Sequence, residues 1–257
     1  PPAPSPKQAG LGWRVMGRTL EGERHVLLNR DLFNEFAAFL AAASWDIALL
    51  QEVPPRWDER LAMATSSAGF RSLTSRNWMS PLISPVARLR PQLAGSWEGG
   101  SNLILVRKDR PGNSIIEKRG ATLRWWPERR TVSLVRLSDG LCVANLHAST
   151  GAARAEGDLT KAVSLALKWA GDAPLLVGGD FNLRPKSSSI FQRLSGEYGF
   201  SEPAEEASID HLLARGATLI EQPVSWKPER RDVPDEAGDL LIRLSDHSPV
   251  VARVRTT

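Results

Sequence analysis

The segment over residues 174–185, Pro-Leu-Leu-Val-Gly-Gly-Asp-Phe-Asn-Leu-Arg-Pro, most narrows what this chain can fold into. Residues 175–177 form a short apolar run that favours a strand buried on both faces, and the two glycines after it let the backbone bend closely. Asp180 and Asn182 therefore follow at the strand end, where residues two apart project to the same side. A carboxylate beside an amide suits a phosphate and its attacking water, whereas the structural alternative is an Asx turn in which both side chains cap their own backbone.

The composition predicts one globular domain. With 257 residues, 42% of them hydrophobic, the chain can bury a large core and fits a single domain over residues 11–257 better than two small ones. The proline-rich residues 1–10 are expected to form a flexible tail. The single cysteine, Cys142, excludes an internal disulfide, and its apolar surroundings in the sequence predict an inert buried thiol.

Charge and hydropathy restrict location and partners only weakly. No apolar segment reaches membrane-spanning length, and the N-terminus lacks the basic-then-apolar order of a secretory signal. We therefore expect a cytoplasmic monomer, the alternative being a secreted chain whose signal was removed before Pro1. A net charge of +4 and a pI near 9.6 favour a polyanionic partner without identifying one.

Hydrophobic periodicity predicts strands alternating with helices. Strands are expected over residues 11–16, 46–53, 102–106, 131–137, 141–146, 175–177, 208–213, 218–226 and 250–254, and helices over residues 31–44, 57–68, 154–170 and 189–194. Residues 72–100 carry several prolines and little periodicity, which is typical of a long loop.

Ionisable residues stand at the ends of four predicted strands, and they are Glu52, His147, the Asp180/Asn182 pair and the Asp246/His247 pair. Asp210, inside the predicted strand over residues 208–213, is a fifth position. If these ends converge on one rim of a sheet, they form a site. Glu52, Asp180 and Asp246 together would concentrate more negative charge than a site tolerates without a cation. Oxygen ligands favour a hard ion such as Mg²⁺ or Mn²⁺.

Five motifs in order resemble those of the endonuclease/exonuclease/phosphatase superfamily, also called deoxyribonuclease I-like. They are Leu-Gln-Glu-Val (50–53), Asn-Leu-His (145–147), Gly-Asp-Phe-Asn (179–182), Ile-Asp-His-Leu-Leu (209–213) and Ser-Asp-His-Ser-Pro-Val (245–250). The resemblance implies an α/β fold, a four-layer sandwich in which two mixed β-sheets pack face to face between helices. It also implies Mg²⁺-dependent (or Mn²⁺-dependent) hydrolysis of phosphoester bonds.

The resemblance assigns the metal and the water to three carboxylates. Glu52 is expected to bind the metal directly, and Asp246 to belong to the same metal cluster. Asp180 is expected to orient or deprotonate the attacking water.

The resemblance also assigns contacts with the phosphate. Asn182 and His147 are expected to contact the phosphoryl group, and His247, oriented by Asp210, to stabilise its charge or assist the leaving oxygen. His211 matches no catalytic position and is interpreted as structural.

Three further features fall outside these motifs. Arg14 stands where the family usually has an asparagine that supports the metal, and a guanidinium there would compete with the cation. Arg130 is a weak candidate for substrate binding, with a solvated strand edge as the equal alternative. Trp125 and Trp126 are either core anchors, which the general burial of tryptophan favours, or an exposed stacking platform.

Several functions remain open at this stage. Nucleic acid is the broadest substrate class for such a phosphoesterase. Phospholipid and inositol-phosphate hydrolases share the same core, and a non-catalytic member that binds phosphate groups or proteins would be consistent with Arg14. A serine hydrolase is disfavoured, because the sequence around Ser101 lacks the second glycine of a nucleophile elbow.

Overall fold

The computed structural model describes residues 18–21, 24–28, 30–74, 100–110, 112–203, 205–236 and 240–256. They belong to two compact units. Unit 1 contains the described residues up to 43 and residues 226–249, and unit 2 contains residues 44–74, most of 100–225, and 250–256. In this part of the chain, no helix has the length and apolarity needed to cross a bilayer.

Unit 1 is built on a small four-stranded sheet. Its strands are β1 (Arg18–Glu21), β2 (His25–Leu28), β12 (Asp232–Pro234) and β13 (Leu241–Arg243), in the order β1-β2-β13-β12. Helix α1 (Phe33–Ala42) belongs to the same unit. Leu32 is the N-cap residue of this helix, and just before it Asp31 Oδ1 accepts a hydrogen bond from the Phe33 N–H at 3.0 Å.

The central sheet of unit 2 carries five strands in the order β10-β9-β8-β7-β6. These are β6 (Ile115–Arg124), β7 (Arg130–Leu137), β8 (Cys142–His147), β9 (Leu175–Asp180) and β10 (Asp210–Arg215). Within this sheet only β8 and β9 are parallel neighbours. A parallel pair needs a crossover, and α3 (Ala152–Ala170) lies in the connection between these two strands.

Helix α3 covers one face of this sheet because its apolar residues recur at helical spacing. Leu159, Ala162, Val163 and Ala166 are buried in one cluster with β8 and β9 residues such as Leu146 and Val177. The cluster also contains helix α4 (Ile190–Gly196) through residues Ile190, Phe191 and Leu194.

The other face packs against a three-stranded antiparallel sheet, β3-β5-β4. It consists of β3 (Ile47–Leu50), β4 (Ser67–Leu73) and β5 (Ser101–Arg107), with α2 (Asp58–Ala64) between the first two. Ile104 and Val106 of β5 meet Val135 and Val143 in the buried layer between the sheets. A two-stranded sheet of β11 (Ala217–Ser225) and β14 (Val250–Thr256) completes unit 2. The predicted class is confirmed: the chain is a mixed α/β protein with several packed sheets and few helices.

Six strands were not predicted, and they are β1, β2, β12 and β13 of unit 1 and β4 and β6 of unit 2. The two in unit 2 are edges of their sheets. β6 exposes five consecutive residues, 116–120, and therefore lacks the alternation of a half-buried strand. β4 begins inside the predicted helix over residues 57–68 and ends inside the predicted loop over residues 72–100, so those expectations are wrong for residues 67–68 and 72–73. The predicted strand over residues 11–16 and the loop from residue 75 to residue 99 lie outside the described residues.

Candidate active site

Three ionisable residues form one row across three adjacent strands. His147 ends β8, Asp180 ends β9 and Asp210 begins β10. Asp180 is the register partner of both neighbours, parallel to His147 and antiparallel to Asp210. Register partners project to the same face of a sheet, and carboxylate oxygens of Asp180 and Asp210 lie within 4.8 Å of each other. These three residues, which are far apart in the sequence, are therefore adjacent in the structure.

Asp180 is nearly buried and its carboxylate is held on several sides. The backbone N–H of Asn182 donates to Oδ1 at 2.8 Å, which is the Asx turn that the sequence offered as an alternative. On the other oxygen, His147 Nε2 lies 3.4 Å from Oδ2. Asn182 Nδ2 donates to the Ala148 carbonyl at 3.0 Å and, more weakly, to Asp180 Oδ2 at 3.3 Å. The turn and the candidate site are thus one arrangement.

Gly179 is required by the way β9 approaches β8. Its φ is +130°, a region that side-chain-bearing residues rarely adopt, and a Cβ there would lie 2.0 Å from the Leu146 carbonyl oxygen. Asn182 also has a positive φ, +51°, which asparagine tolerates better than most residues. The backbone around Asp180 is therefore specialised on both sides.

Glu52 follows β3 and presents its carboxylate to solvent. Its φ is +57°, which costs free energy for a residue with a Cβ. The side chain is 78% exposed, and Oε1 lies 3.8 Å from His147 Nδ1. The next residue is fixed on both of its backbone groups, because Val53 N–H donates to the Ser101 carbonyl at 3.1 Å and Ser101 Oγ donates to the Val53 carbonyl at 2.8 Å.

A buried amide network joins the Glu52 segment to the His147 strand. Asn145 is fully buried, and its Nδ2 donates to the carbonyls of Leu50 and Leu103, each at 3.0 Å. Its Oδ1 accepts a hydrogen bond from Gln51 Nε2 at 2.7 Å. The sequence analysis gave neither Gln51 nor Asn145 a role, although a polar residue inside the apolar strand 141–146 was the signal that one existed.

His211, next to Asp210, is packed in the interior. It is buried, its Nε2 lies 2.9 Å from the Leu183 carbonyl oxygen, and its ring packs 5.2 Å from Phe181 and 4.8 Å from Phe191 between ring centroids. Burial lowers the pKa of His211 below its ordinary value, with the hydrogen bonds to backbone groups opposing that shift.

Arg130 begins β7 at the same end of the central sheet as His147. It is buried rather than on the solvated edge that was the alternative, and its Nη2 lies 2.8 Å from Glu128 Oε2. Trp125 and Trp126 follow the last residue of β6 and are 72% and 81% exposed, so the expectation that they anchor the core is wrong.

The remaining two predicted site residues belong to unit 1, in the segment between β13 and β14. There the Asp246 carbonyl accepts a hydrogen bond from the Arg231 guanidinium, and the His247 N–H donates to Ser245 Oγ at 3.1 Å. Arg14 lies outside the described residues. Unit 2 alone therefore brings together Glu52, His147, Asp180, Asn182 and Asp210.

The donor set of unit 2 fits a divalent cation. Carboxylate oxygens of Asp180 and Asp210 lie within 4.8 Å of each other. The exposed Glu52 carboxylate adds a third acidic group on the other side of the His147 ring, which contacts Asp180. Carboxylate oxygens are the ligands that Mg²⁺ and Mn²⁺ prefer. A cation there would supply positive charge next to a bound phosphoryl group.

Comparison with solved structures identifies the same architecture in other proteins. An endonuclease/exonuclease/phosphatase family protein from Bacteroides thetaiotaomicron matches with a TM-score of 0.63 and 16% identity, over 88% of this chain and 89% of that one. A mannosyl-6-phosphatase from the same organism matches with a TM-score of 0.61 and 16% identity over 86% and 90%. TDP2 from Caenorhabditis elegans matches with a TM-score of 0.55 and 15% identity over 88% and 68%. At such identities these likenesses show the fold alone.

The sequence itself supplies the assignment to a family. No curated protein matches the chain. The model of the Endonuclease/Exonuclease/phosphatase family, however, matches residues 22–247, a span that includes the first four motifs and residues 245–247 of the fifth. Members of this family are generally phosphoester hydrolases and typically depend on a divalent metal. The chain therefore belongs to the endonuclease/exonuclease/phosphatase family.

Proposed function

We propose that this chain is a Mg²⁺- or Mn²⁺-dependent phosphoesterase that hydrolyses phosphodiester bonds by in-line attack of water, with nucleic acid as its substrate class. The observation that carries the proposal is the row of His147, Asp180 and Asp210, with the Asp180 carboxylate oriented by the Asn182 backbone and by the His147 imidazole. A carboxylate held in one orientation at a strand end can orient an attacking water molecule or accept its proton.

Asp180 is the proposed base or orienting group for water. Its two oxygens receive different partners, the Asn182 N–H on Oδ1 and the His147 ring on Oδ2, so the carboxylate has one defined orientation. Removing a positioned base costs on the order of a hundredfold in rate. Asp180 is therefore the residue whose loss should reduce turnover most.

Asn182 and His147 are the proposed phosphoryl contacts in unit 2. The Asn182 Nδ2 bond to Asp180 Oδ2 is long, 3.3 Å, so the same amide N–H can donate to a phosphoryl oxygen at a shorter distance. His147 has its two ring nitrogens near two different carboxylates, Glu52 and Asp180, which favour a ring that donates. Arg130 is proposed as a weak contact with the substrate.

The metal roles of Glu52 and Asp246 and the phosphate role of His247 rest on the motifs. Glu52 combines an exposed carboxylate with a backbone fixed at Val53, which supports a ligand presented from a rigid base. Asp246 and His247 are proposed to join it, with Asp210 orienting the His247 imidazole. A single domain over residues 11–257 is proposed on the same grounds.

The test is a substrate panel with and without Mg²⁺ or Mn²⁺. The substrates are single-stranded DNA, RNA, plasmid DNA, bis-p-nitrophenyl phosphate, an inositol phosphate, mannose 6-phosphate and sphingomyelin, and the control is Asp180→Ala. The proposal predicts cation-dependent cleavage of nucleic acid and of bis-p-nitrophenyl phosphate that the variant loses. Exclusive turnover of a lipid or a sugar phosphate would refute the substrate class, and folded protein that cleaves nothing would favour the non-catalytic alternative.

A further inference from the structure

We propose that Trp125 and Trp126 form a stacking platform for unpaired bases of a single-stranded nucleic acid whose phosphate lies at the Asp180 site. The inference rests on the proposed function, since it names the form of the nucleic acid and the surface that selects it. The platform is defined as the turn between β6 and β7, residues 125–129.

The two indoles are more exposed than the other four tryptophans that the structure describes. They are 72% and 81% exposed, whereas Trp57 is buried and Trp45, Trp169 and Trp226 are at least half-buried. A tryptophan side chain offers roughly 150–250 Å² of surface, so the pair leaves roughly 300 Å² to solvent. Exposed apolar surface of this amount, where it is contiguous, often marks a binding site.

The platform is held on a fixed base rather than on a loose loop. Arg124 and Arg130 are register partners where β6 and β7 meet the turn. Arg124 Nε donates to the buried Asp158 carboxylate at 2.9 Å, and Arg129 Nη2 donates to the Leu73 carbonyl at 2.6 Å. The Arg129 guanidinium lies 5.9 Å from the centre of the Trp125 ring. A ring supported in this way loses little conformational entropy when a base stacks on it.

The platform lies at the same end of the central sheet as the catalytic row. β7 starts at Arg130, two residues before Val132, which pairs with Leu146, the neighbour of His147. From β9 to β6 there are three strand spacings of about 4.8 Å, or about 14 Å. That distance equals about four nucleotides at 3.4 Å each. One short strand can therefore reach both Asp180 and the tryptophans.

Charge selects a polyanion among the ligands that stack on tryptophan. Around the turn stand Arg124, Arg129, Arg130 and Arg154 against the carboxylates Glu128 and Asp158, which leaves two positive charges in excess. Aromatic side chains among arginines bind single strands, because every base has a π-face and every linkage a negative charge. In a duplex the base faces are already stacked, so the platform favours unpaired strands. A neutral glycan or a zwitterionic lipid would not use the arginines.

Binding is tested separately from catalysis, using the Asp180→Ala protein in Mg²⁺ so that the probe is not cleaved. The probe is a fluorescein-labelled 12-nucleotide oligo(dT), followed by fluorescence anisotropy and by quenching of tryptophan emission. Trp126→Ala and the double variant Trp125→Ala/Trp126→Ala remove the platform. Ile116→Ala, on an exposed side chain elsewhere on β6, is the matched control. Melting curves verify that each variant is folded, and removal of either exposed indole should leave the Tm unchanged.

The platform predicts that the Kd for oligo(dT) rises about 5- to 100-fold in the double variant, as loss of one or two stacked bases implies, and stays unchanged in Ile116→Ala. A 12-base-pair duplex should bind more weakly than the single strand. An unchanged Kd in the double variant, or binding of phosphatidylserine vesicles in place of oligo(dT), would overturn the inference. Hydrolysis of bis-p-nitrophenyl phosphate by the wild-type chain would in that case still stand, so the two proposals fail separately.

Discussion

Replacing Asn145 by alanine tests whether the buried amide network holds the Glu52 segment and the His147 strand together. The substitution removes the hydrogen bonds to the Leu50 and Leu103 carbonyls and the one from Gln51. A buried hydrogen bond contributes about 1–1.5 kcal/mol net, so the loss should be about 3–4 kcal/mol. For a chain of this size this corresponds to a decrease in Tm of roughly 10 °C.

Urea denaturation measures this loss, and a double-mutant cycle with Gln51→Ala separates its parts. We expect a coupling between Gln51 and Asn145 of about 0.5–2 kcal/mol, because the two amides share one hydrogen bond. Gln192→Ala, at an exposed position of α4, serves as the control and should change stability by less than about 0.5 kcal/mol. If Asn145→Ala costs less than about 1 kcal/mol, or if the coupling is absent, the network does not have the positioning role assigned to it.

Three further substitutions test local features of the site. Gly179→Ala should lower stability by about 3 kcal/mol or more, because the φ of +130° and the 2.0 Å approach of a Cβ to the Leu146 carbonyl both oppose it; near-native melting would contradict the backbone geometry. Glu52→Gly should raise the free energy of unfolding by about 0.5–1 kcal/mol, because relief of left-handed backbone strain of about 1–2 kcal/mol exceeds the entropic cost of glycine of about 0.5–1 kcal/mol. Metal-dependent turnover should be lost in the same variant. A lower stability of the variant in urea would refute this. Burial lowers the pKa of His211 in the folded chain, whereas in the unfolded chain the imidazole has its ordinary pKa near 6.5. Below pH 6.5 the unfolded chain therefore binds a proton that the folded chain does not, so the free energy of unfolding should decrease as the pH falls, by up to about 1.4 kcal/mol per pH unit. His211→Gln should show a shallower decrease, and equal slopes would contradict the buried neutral state.

The sequence predicts the strand ends better than it predicts how they meet. The apolar runs before Gly178 and before His147 place Asp180 and His147 at ends of strands, because that information is local. Asp210 was expected inside the strand over residues 208–213, whereas it begins β10. That they share one row is a matter of register between β8, β9 and β10, which depends on contacts between distant parts of the chain. For Asp246 and His247 the sequence supplies a motif, and their roles stay predictions.

Positioning residues and surface elements are the hardest to predict from one sequence. Gln51 and Asn145 belong to motifs, yet their hydrogen bond crosses from one sheet to the other and leaves no local pattern. β6 was not predicted, because an edge strand with five consecutive exposed residues has no hydrophobic alternation. Trp125 and Trp126, which follow it, were expected in the core because tryptophan is generally buried, but a turn presents them to solvent.

Hydrolysis of bis-p-nitrophenyl phosphate by the wild-type chain and by Asp180→Asn, each with and without Mn²⁺ or Mg²⁺, tests the central claim most directly. Asparagine keeps the shape of the side chain but removes the charge that would orient or deprotonate water. The account predicts cation-dependent turnover in the wild type and a loss of about a hundredfold or more in the variant, with matching urea denaturation curves for the two. Turnover by Asp180→Asn equal to that of the wild type would contradict the assignment of Asp180 and with it the proposed mechanism.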